Sequence, residues 1–237
     1  MKPRYAIYFV PRADSAVYRF GAAALGYDCY TASDIDFPDP LPIPQPAWSE
    51  LTSEPRRYGF HATLKAPFFL ADDIDEAALV EGFDAVCRTT ALPVVFAPAV
   101  TVVEGFVAIV PAAPEPAIDR LAAACVTAFD RFRAPLSAHE RARRMSTRLS
   151  PRQADQLDRW GYPYVFEDFR LHLTLTGRLA TERQDAVLRY LREHFAALHA
   201  SVVRIDRLTL LRQERPDARF VVIRQAGIGA ESAHPGL

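Results

Sequence analysis

The chain has 237 residues and a formal net charge of -1, half of them apolar and 24% charged; this is the composition of a globular protein with a full core, not of a disordered one. A near-neutral chain lacks the positive field that long nucleic acid requires, since that affinity comes from many Lys and Arg on phosphates, so a small ligand is the expected partner. No stretch approaches the roughly 20 apolar residues of a membrane span, and the N-terminal apolar run is too short for a signal-peptide core, which points to the cytoplasm.

In chain order, residues 5–10 (YAIYFV) are aromatic and β-branched enough for a strand, and 14–25 read as a helix with Asp14 or Ser15 as N-cap and Gly26 as its stop. Between Phe37 and Pro46 a proline stands at every second position, which removes backbone donors and favours an extended connector or a lid. Residues 58–70 form a strand, 75–89 a helix with apolar residues at helical spacing, and 94–103 with 106–110 a hairpin turning at Glu104 and Gly105. An amphipathic helix covers 115–133, and 136–160 reads as two short helices, the second capped by Ser150 with Pro151 at its first position and stopped by Gly161. A strand at 169–176 follows, then a helix capped by Thr181 and reaching Ala200, and strands at 202–211 and 219–224 with Pro216 and Asp217 between them. Cys29, Cys87 and Cys125 lack the spacing of a zinc or redox motif, so reduced, buried thiols are expected.

The second half of this order repeats the first. His61 lies 44 residues before Gly105 in one hairpin turn, and His172 lies 44 before Pro216 in the other. Each block runs strand, helix, strand, strand, so a duplicated unit is expected, with too few copies for a solenoid. The expected fold is α+β, two antiparallel sheets in a bilobal domain over residues 1–225 with a V-shaped cleft between lobes. Lobe one spans 56–111 and lobe two 168–225; strand 5–10 and helices 14–25, 115–133 and 136–160 pack on them, and 226–237 form a flexible tail. Because each lobe supplies half of the site, a monomer is expected.

The repeated strands carry His61-Ala62-Thr63-Leu64-Lys65 and His172-Leu173-Thr174-Leu175-Thr176. Side chains alternate faces along a strand, so the polar residues at i, i+2 and i+4 should share one face and the apolar ones the other. A lone His-x-Thr is common by chance; two in phase with a duplication are not. Two imidazoles in one cleft suit displacement at a phosphodiester, one taking a proton while the other protonates the leaving oxygen. Threonine hydroxyls donate to the non-bridging oxygens, and Lys65 adds charge to the same wall. No carboxylate cluster or glycine-rich phosphate loop accompanies the row, so neither metal nor cofactor is expected.

At these residues the sequence resembles the two-histidine (2H) phosphoesterase superfamily, whose bilobal, LigT-like members carry two His-x-Thr or His-x-Ser motifs. The segments RYAIYFVP, YRFGAAALGYD, RRYGFHATLKAPF, RWGYPYV and FRLHLTLTGRL are similar to a DUF1045-like subfamily associated with phosphonate utilisation, from about Arg4 to Arg224. The resemblance implies that His61 and His172 are catalytic and that Thr63 and Thr174 hold the phosphate. Lys65 and Thr176 enter by strand geometry alone. Arg170, two residues before His172, and Tyr58, just before the first motif, are further candidates for substrate contact, with Arg57, Tyr162 and Tyr164 behind them. His139, His194, His199 and His234 read as surface residues, and the run Arg141, Arg143, Arg144, Arg148 and Arg152 as a solvated helical face. The association implies a small cyclic phosphodiester as substrate, such as a phosphoribosyl 1,2-cyclic phosphate. A 2',3'-cyclic nucleotide phosphodiesterase or RNA-end-processing enzyme, and a non-catalytic phosphate or nucleotide sensor, are the competing readings.

Overall fold

The computed structural model describes residues 2–90, 93–146 and 148–229. Strand β1 (Arg4–Phe9) leads into helix α1 (Ala16–Leu25), which Ser15 caps by accepting from the Tyr18 amide and Gly26 ends in the left-handed region at φ 72°. The short strands β2 (Tyr27–Asp28) and β3 (Ser33–Asp34) pair with each other. The proline-rich connector then feeds two helices that residue patterning does not show, α2 (Gln45–Leu51) and α3 (Ser53–Arg56). They are anchored by Trp48, fully buried, whose indole N–H donates to the Ala24 carbonyl at 2.9 Å.

The first repeat unit comprises β4 (Ala62–Phe69), α4 (Glu76–Thr89), β5 (Val94–Phe96), β6 (Pro98–Val103) and β7 (Phe106–Pro111). Helices α5 (Pro116–Ala128), α6 (Ala138–Met145) and α7 (Pro151–Trp160) follow, α6 and α7 each opening on a capping box. The second unit comprises β8 (Leu173–Thr174), α8 (Thr181–Ala196), β9 (Val203–Ile205), β10 (Arg207–Gln213) and β11 (Val221–Gly227). The N-cap of α8 is Ala180 rather than Thr181. Residues 226–228 are not part of a tail, as Ala226 and Gly227 belong to β11 and Ile228 is buried with its amide donating to the Asp206 carbonyl, and the rest of the expected tail from 230 lies outside the described residues. His234 lies outside the described residues. All three cysteines are free and buried.

The architecture is α+β with antiparallel sheets. One half carries β11-β10-β1-β4 and the other β8-β7-β6, and they join along a seam with one residue pair, Ala62 opposite Leu173. The composition of each half departs from the chain-order lobes 56–111 and 168–225. Strand β4 shares its half with the hairpin of the second unit, β10-β11, while β8 pairs with β7 of the first. Helix α4 likewise lies against β10 and β11, and α8 against β6. The crossing occurs where β5 and β9 pair antiparallel, Val94 opposite Ile205 and Phe96 opposite Val203. The hairpins are thus exchanged between units, so neither unit closes a core alone. Strand β1, without counterpart in the other half, stands between β4 and β10.

Candidate active site

The seam sets the site. Antiparallel pairing of Ala62 with Leu173 carries the register one residue each way, so His61 faces Thr174 and Thr63 faces His172 across the strands. Ala62 and Leu173 are fully buried on the opposite face, while the two histidines and two threonines stay half-buried on this one. The four side chains are therefore related by the local twofold of the duplication, with the Ala62–Leu173 pair at its centre.

Both imidazoles are held in the same way. Nδ1 of His61 donates to the Gly59 carbonyl at 2.8 Å, and Nδ1 of His172 to the Arg170 carbonyl at 2.8 Å. A carbonyl only accepts, so each Nδ1 bears the proton and each neutral ring carries its lone pair on Nε2. Nε2 of His61 receives the Thr63 hydroxyl at 3.2 Å. Gly59 supplies its carbonyl from a backbone at φ 74°, where a Cβ would lie 2.7 Å from that of Cys29, so only glycine fits there. The environments of the two rings then diverge. Tyr8 stacks on His61 at 3.8 Å between centroids and 20° between planes, whereas His172 meets Phe106 at 5.5 Å and a tilt. Burial pushes the His61 pKa down to about 4, against the bond to Gly59 and with a smaller contribution from repulsion by His172.

Two expected members of the polar row are turned out of it. A bulge falls between Thr63 and Lys65, whose partners on β1 are the consecutive residues Tyr8 and Ile7. Beyond it Lys65 is buried, its ammonium bonded to the Val126 carbonyl at 3.0 Å and to Asp130 at 3.1 Å. Its charge is neutralised in the core and does not serve the cleft. On the other strand the amides of Leu175 and Thr176 both donate to the Val107 carbonyl, again a bulge. Thr176 is fully buried, accepts from the Val107 amide at 3.0 Å and donates to the Gly177 carbonyl, a backbone staple and not a ligand contact. Strict alternation fails because each motif strand carries an extra residue just after its threonine.

The guanidinium of Arg170 folds back onto the Glu167 and Phe169 carbonyls, so the contribution of this residue to the site is its own carbonyl. Tyr58 is stacked on Phe220 at 5.5 Å with its ring 6.1 Å from His61. Of the arginine run, Arg141 pairs with Asp158 and Arg152 with Asp168 as a solvated face would, whereas Arg144 departs from that expectation, half-buried with its guanidinium 5.2 Å over the Tyr162 ring. His139, His194 and His199 are exposed. Among the described residues no group of three or more His, Cys, Asp or Glu could hold a metal ion, and no helix is long and apolar enough to cross a membrane.

Residue patterning overlooked the contribution of β1. Tyr8 is the cross-strand partner of Thr63 and stacks on His61. Arg4 lies four residues earlier on the same strand, while Tyr5 between them turns to Glu76 of α4. The signal was present in RYAIYF: alternation places Arg4, Ala6 and Tyr8 on one face. That this face is the one bearing His61 depends on β1 pairing with β4, which local sequence does not reveal.

Comparison with known proteins adds relatives of two kinds. A protein from Janthinobacterium sp. (strain Marseille) named "Ribose 1,5-bisphosphate phosphokinase PhnN" is 40% identical over 222 residues, which cover 92% of this chain and 49% of that protein. One of the same name from Laribacter hongkongensis (strain HLHK9) is 36% identical over 181 residues, 74% of this chain and 40% of that protein. The chain thus spans half or less of the length of these curated relatives. Among solved structures, Escherichia coli LigT complexed with 3'-AMP is matched at 10% identity and a TM-score of 0.43, and a structure titled as a phosphoesterase at 10% and 0.42, each over 97% of this chain and all of that one. Residues 63–221 match the family described as "Protein of unknown function (DUF1045)", and the chain belongs to that family.

Proposed function

We propose that the chain is a phosphodiesterase that opens a small cyclic phosphodiester on a ribose phosphate, without a metal, by acid–base catalysis between His61 and His172. The observation that carries this reading is the twofold arrangement of the two His-x-Thr pairs about Ala62 and Leu173, with each imidazole oriented by a carbonyl two residues earlier. The depressed pKa of His61, which keeps its ring neutral, supports its assignment as the base. Neutral at physiological pH, its Nε2 exchanges the Thr63 hydroxyl for a water and takes that water's proton as oxygen attacks phosphorus. The bond from phosphorus to one ribose oxygen breaks, and protonated His172 delivers its Nε2 proton to that oxygen, leaving a phosphomonoester. Thr63 and Thr174 donate to the non-bridging oxygens, where charge accumulates. Repulsion by His172 adds to the burial that keeps His61 neutral.

The relatives' name supports the sugar. Their phosphokinase acts on ribose 1,5-bisphosphate, and hydrolysis of a 5-phosphoribosyl 1,2-cyclic phosphate at the O2–phosphorus bond yields that compound. An esterase in one half of such a protein would then supply the kinase in the other. The test is a screen of chelator-treated protein against cyclic ribose phosphates, 2',3'-cyclic nucleotides and linear diesters. Selective opening of the 1,2-cyclic sugar is expected; activity that appears only on adding a divalent metal would contradict the mechanism.

A further inference from the structure

The two motifs match within their own strands and differ in the strands beside them. Strand β1 flanks the first motif and sets Tyr8 opposite Thr63, whereas β7 flanks the second and sets Ala108 opposite Thr174. The histidine two residues before each threonine lies on the diagonal from that partner, a distance that an aromatic ring spans and a methyl group does not. Tyr8 accordingly lies flat on His61, 3.8 Å between centroids and 20° between planes. The matching position beside His172 holds the methyl group of Ala108, and Phe106, two residues along β7, meets His172 at 5.5 Å and 58°. Tyr8 is backed by Phe220 at 6.1 Å, and Phe220 is fixed through its peptide groups, the amide donating to the Arg57 carbonyl and the carbonyl accepting from the Tyr27 hydroxyl. Phe220 also stacks on Tyr58 at 5.5 Å, and the Tyr58 ring lies 6.1 Å from His61. The His61 ring is thus seated against a block of aromatic rings while its Nδ1 is tied to Gly59. Tyr8 is 1% exposed, so it has next to no surface to offer a substrate and acts through His61.

We infer that Tyr8 is a positioning residue that assigns the histidines their separate duties: stacked on His61, it fixes the plane of that ring and keeps water from it, so that His61 enters each turnover as the base and His172 as the acid. This deepens the functional reading above and rests on it. A flat ring over an imidazole has two opposed effects. Its face attracts an imidazolium, and its bulk excludes the water that an imidazolium needs. The His61 pKa is pushed down, chiefly by burial, so exclusion is the larger effect. Burial also pushes the Tyr8 phenol upward, which leaves it uncharged where imidazoles titrate. Tyr58, Tyr162, Arg4 and His172 are the titratable groups that act on this pair, and the Arg4 guanidinium is bonded to Gln213. At the second motif an alanine imposes no such cover, which leaves His172 able to hold the proton that the leaving oxygen receives.

The experiment measures two quantities in the full chain, as wild type and as Tyr8→Phe, Tyr8→Leu and Tyr8→Met. One is the pH at which the His61 imidazole titrates by NMR, its resonance identified by its loss in His61→Gln. The other is the pH profile of kcat/KM on 5-phosphoribosyl 1,2-cyclic phosphate, with kcat and KM separated on the plateau. Tyr8→Phe keeps the stacked ring and is expected to match the wild type in both, with kcat within about threefold. Leucine and methionine keep bulk without a flat face, and the two are paired so that a folding failure in one, seen as loss of its thermal transition, leaves the other. In the folded variant the His61 titration and the acid limb are expected to rise together by about one pH unit or more. Its kcat should fall about tenfold or more with KM changed less than about threefold, since the ring positions the base and not the substrate. A His61 titration that stays with the wild type in that variant, a shift in Tyr8→Phe as large as in Tyr8→Leu, or a wild-type His61 titrating near the ordinary imidazole value would each overturn the inference. If the wild type opens no cyclic diester, the functional reading fails, and the NMR titration alone decides whether Tyr8 sets the state of His61.

Discussion

At the scale of single residues, chemically equal histidines are made unequal by what packs on them. Tyr8 covers one face of His61 and withdraws it from water, while His172 meets Phe106 at a tilt. Removing either imidazole is expected to lower kcat by roughly 10²–10⁴-fold, and Thr63→Val or Thr174→Val by roughly 10²-fold, as measured on the cyclic diester; turnover unchanged in both histidine variants would end the catalytic assignment. Since the base must be unprotonated, the acid limb of kcat/KM should fall near pH 4 and not near the ordinary imidazole value. The same shift bears on stability. An imidazole whose folded pKa, about 4, lies below its reference value of 6.5 binds its proton more readily in the unfolded chain, so stability falls as pH drops through that window. Thermal melts at several pH values are expected to show this loss in the wild type and a shallower one in His61→Gln. An identical slope in the variant would show that the ring is not buried neutral.

At the scale of elements, the paired bulges separate the two His-x-Thr pairs from buried residues that hold the strands. Each motif strand keeps its alternation through the threonine and then breaks it, so Lys65 and Thr176 turn into the core. Thr176→Val leaves the buried Val107 amide without its acceptor and should cost roughly 1–3 kcal/mol, read from denaturant melts, with kcat changed less than threefold. Lys65→Met keeps the buried stem but removes the bond to the Val126 carbonyl; Asp130 keeps its bond to Arg133 at 3.0 Å. Its effect belongs in stability also, and a kcat loss comparable to that of Thr63→Val would return Lys65 to the cleft. Both residues looked functional in the sequence because period-2 alternation was extended across all five positions. The extra residue that breaks it is defined by the partner strand, not by local composition.

At the scale of the whole molecule, the exchange of hairpins ties the halves together. Each unit leaves its motif strand and helix in one half and sends its hairpin to the other, crossing where β5 meets β9. The two halves should therefore unfold as one cooperative unit. Leu173→Ala removes a fully buried side chain at the seam, expected to cost roughly 2–5 kcal/mol, and calorimetry should still record a single transition; two separate transitions would mean that the halves are independent.

The sequence by itself determined the α+β class, the duplication and most helix boundaries, because periodicity and caps such as Ser15, Asp75, Ser137 and Ser150 act within a few residues of where they stand. It also determined the two His-x-Thr pairs, since chemistry repeated at equal spacing is visible without a fold. Helices α2 and α3 escaped it, their short run being dominated by prolines and settled by the burial of Trp48. Only the tertiary structure decided that β1 brings Tyr8 against His61, that the hairpins are exchanged, and that burial depresses the pKa of His61. Strand pairing, register and burial are relations between segments distant in the chain, and the periodicity of any one segment does not contain them.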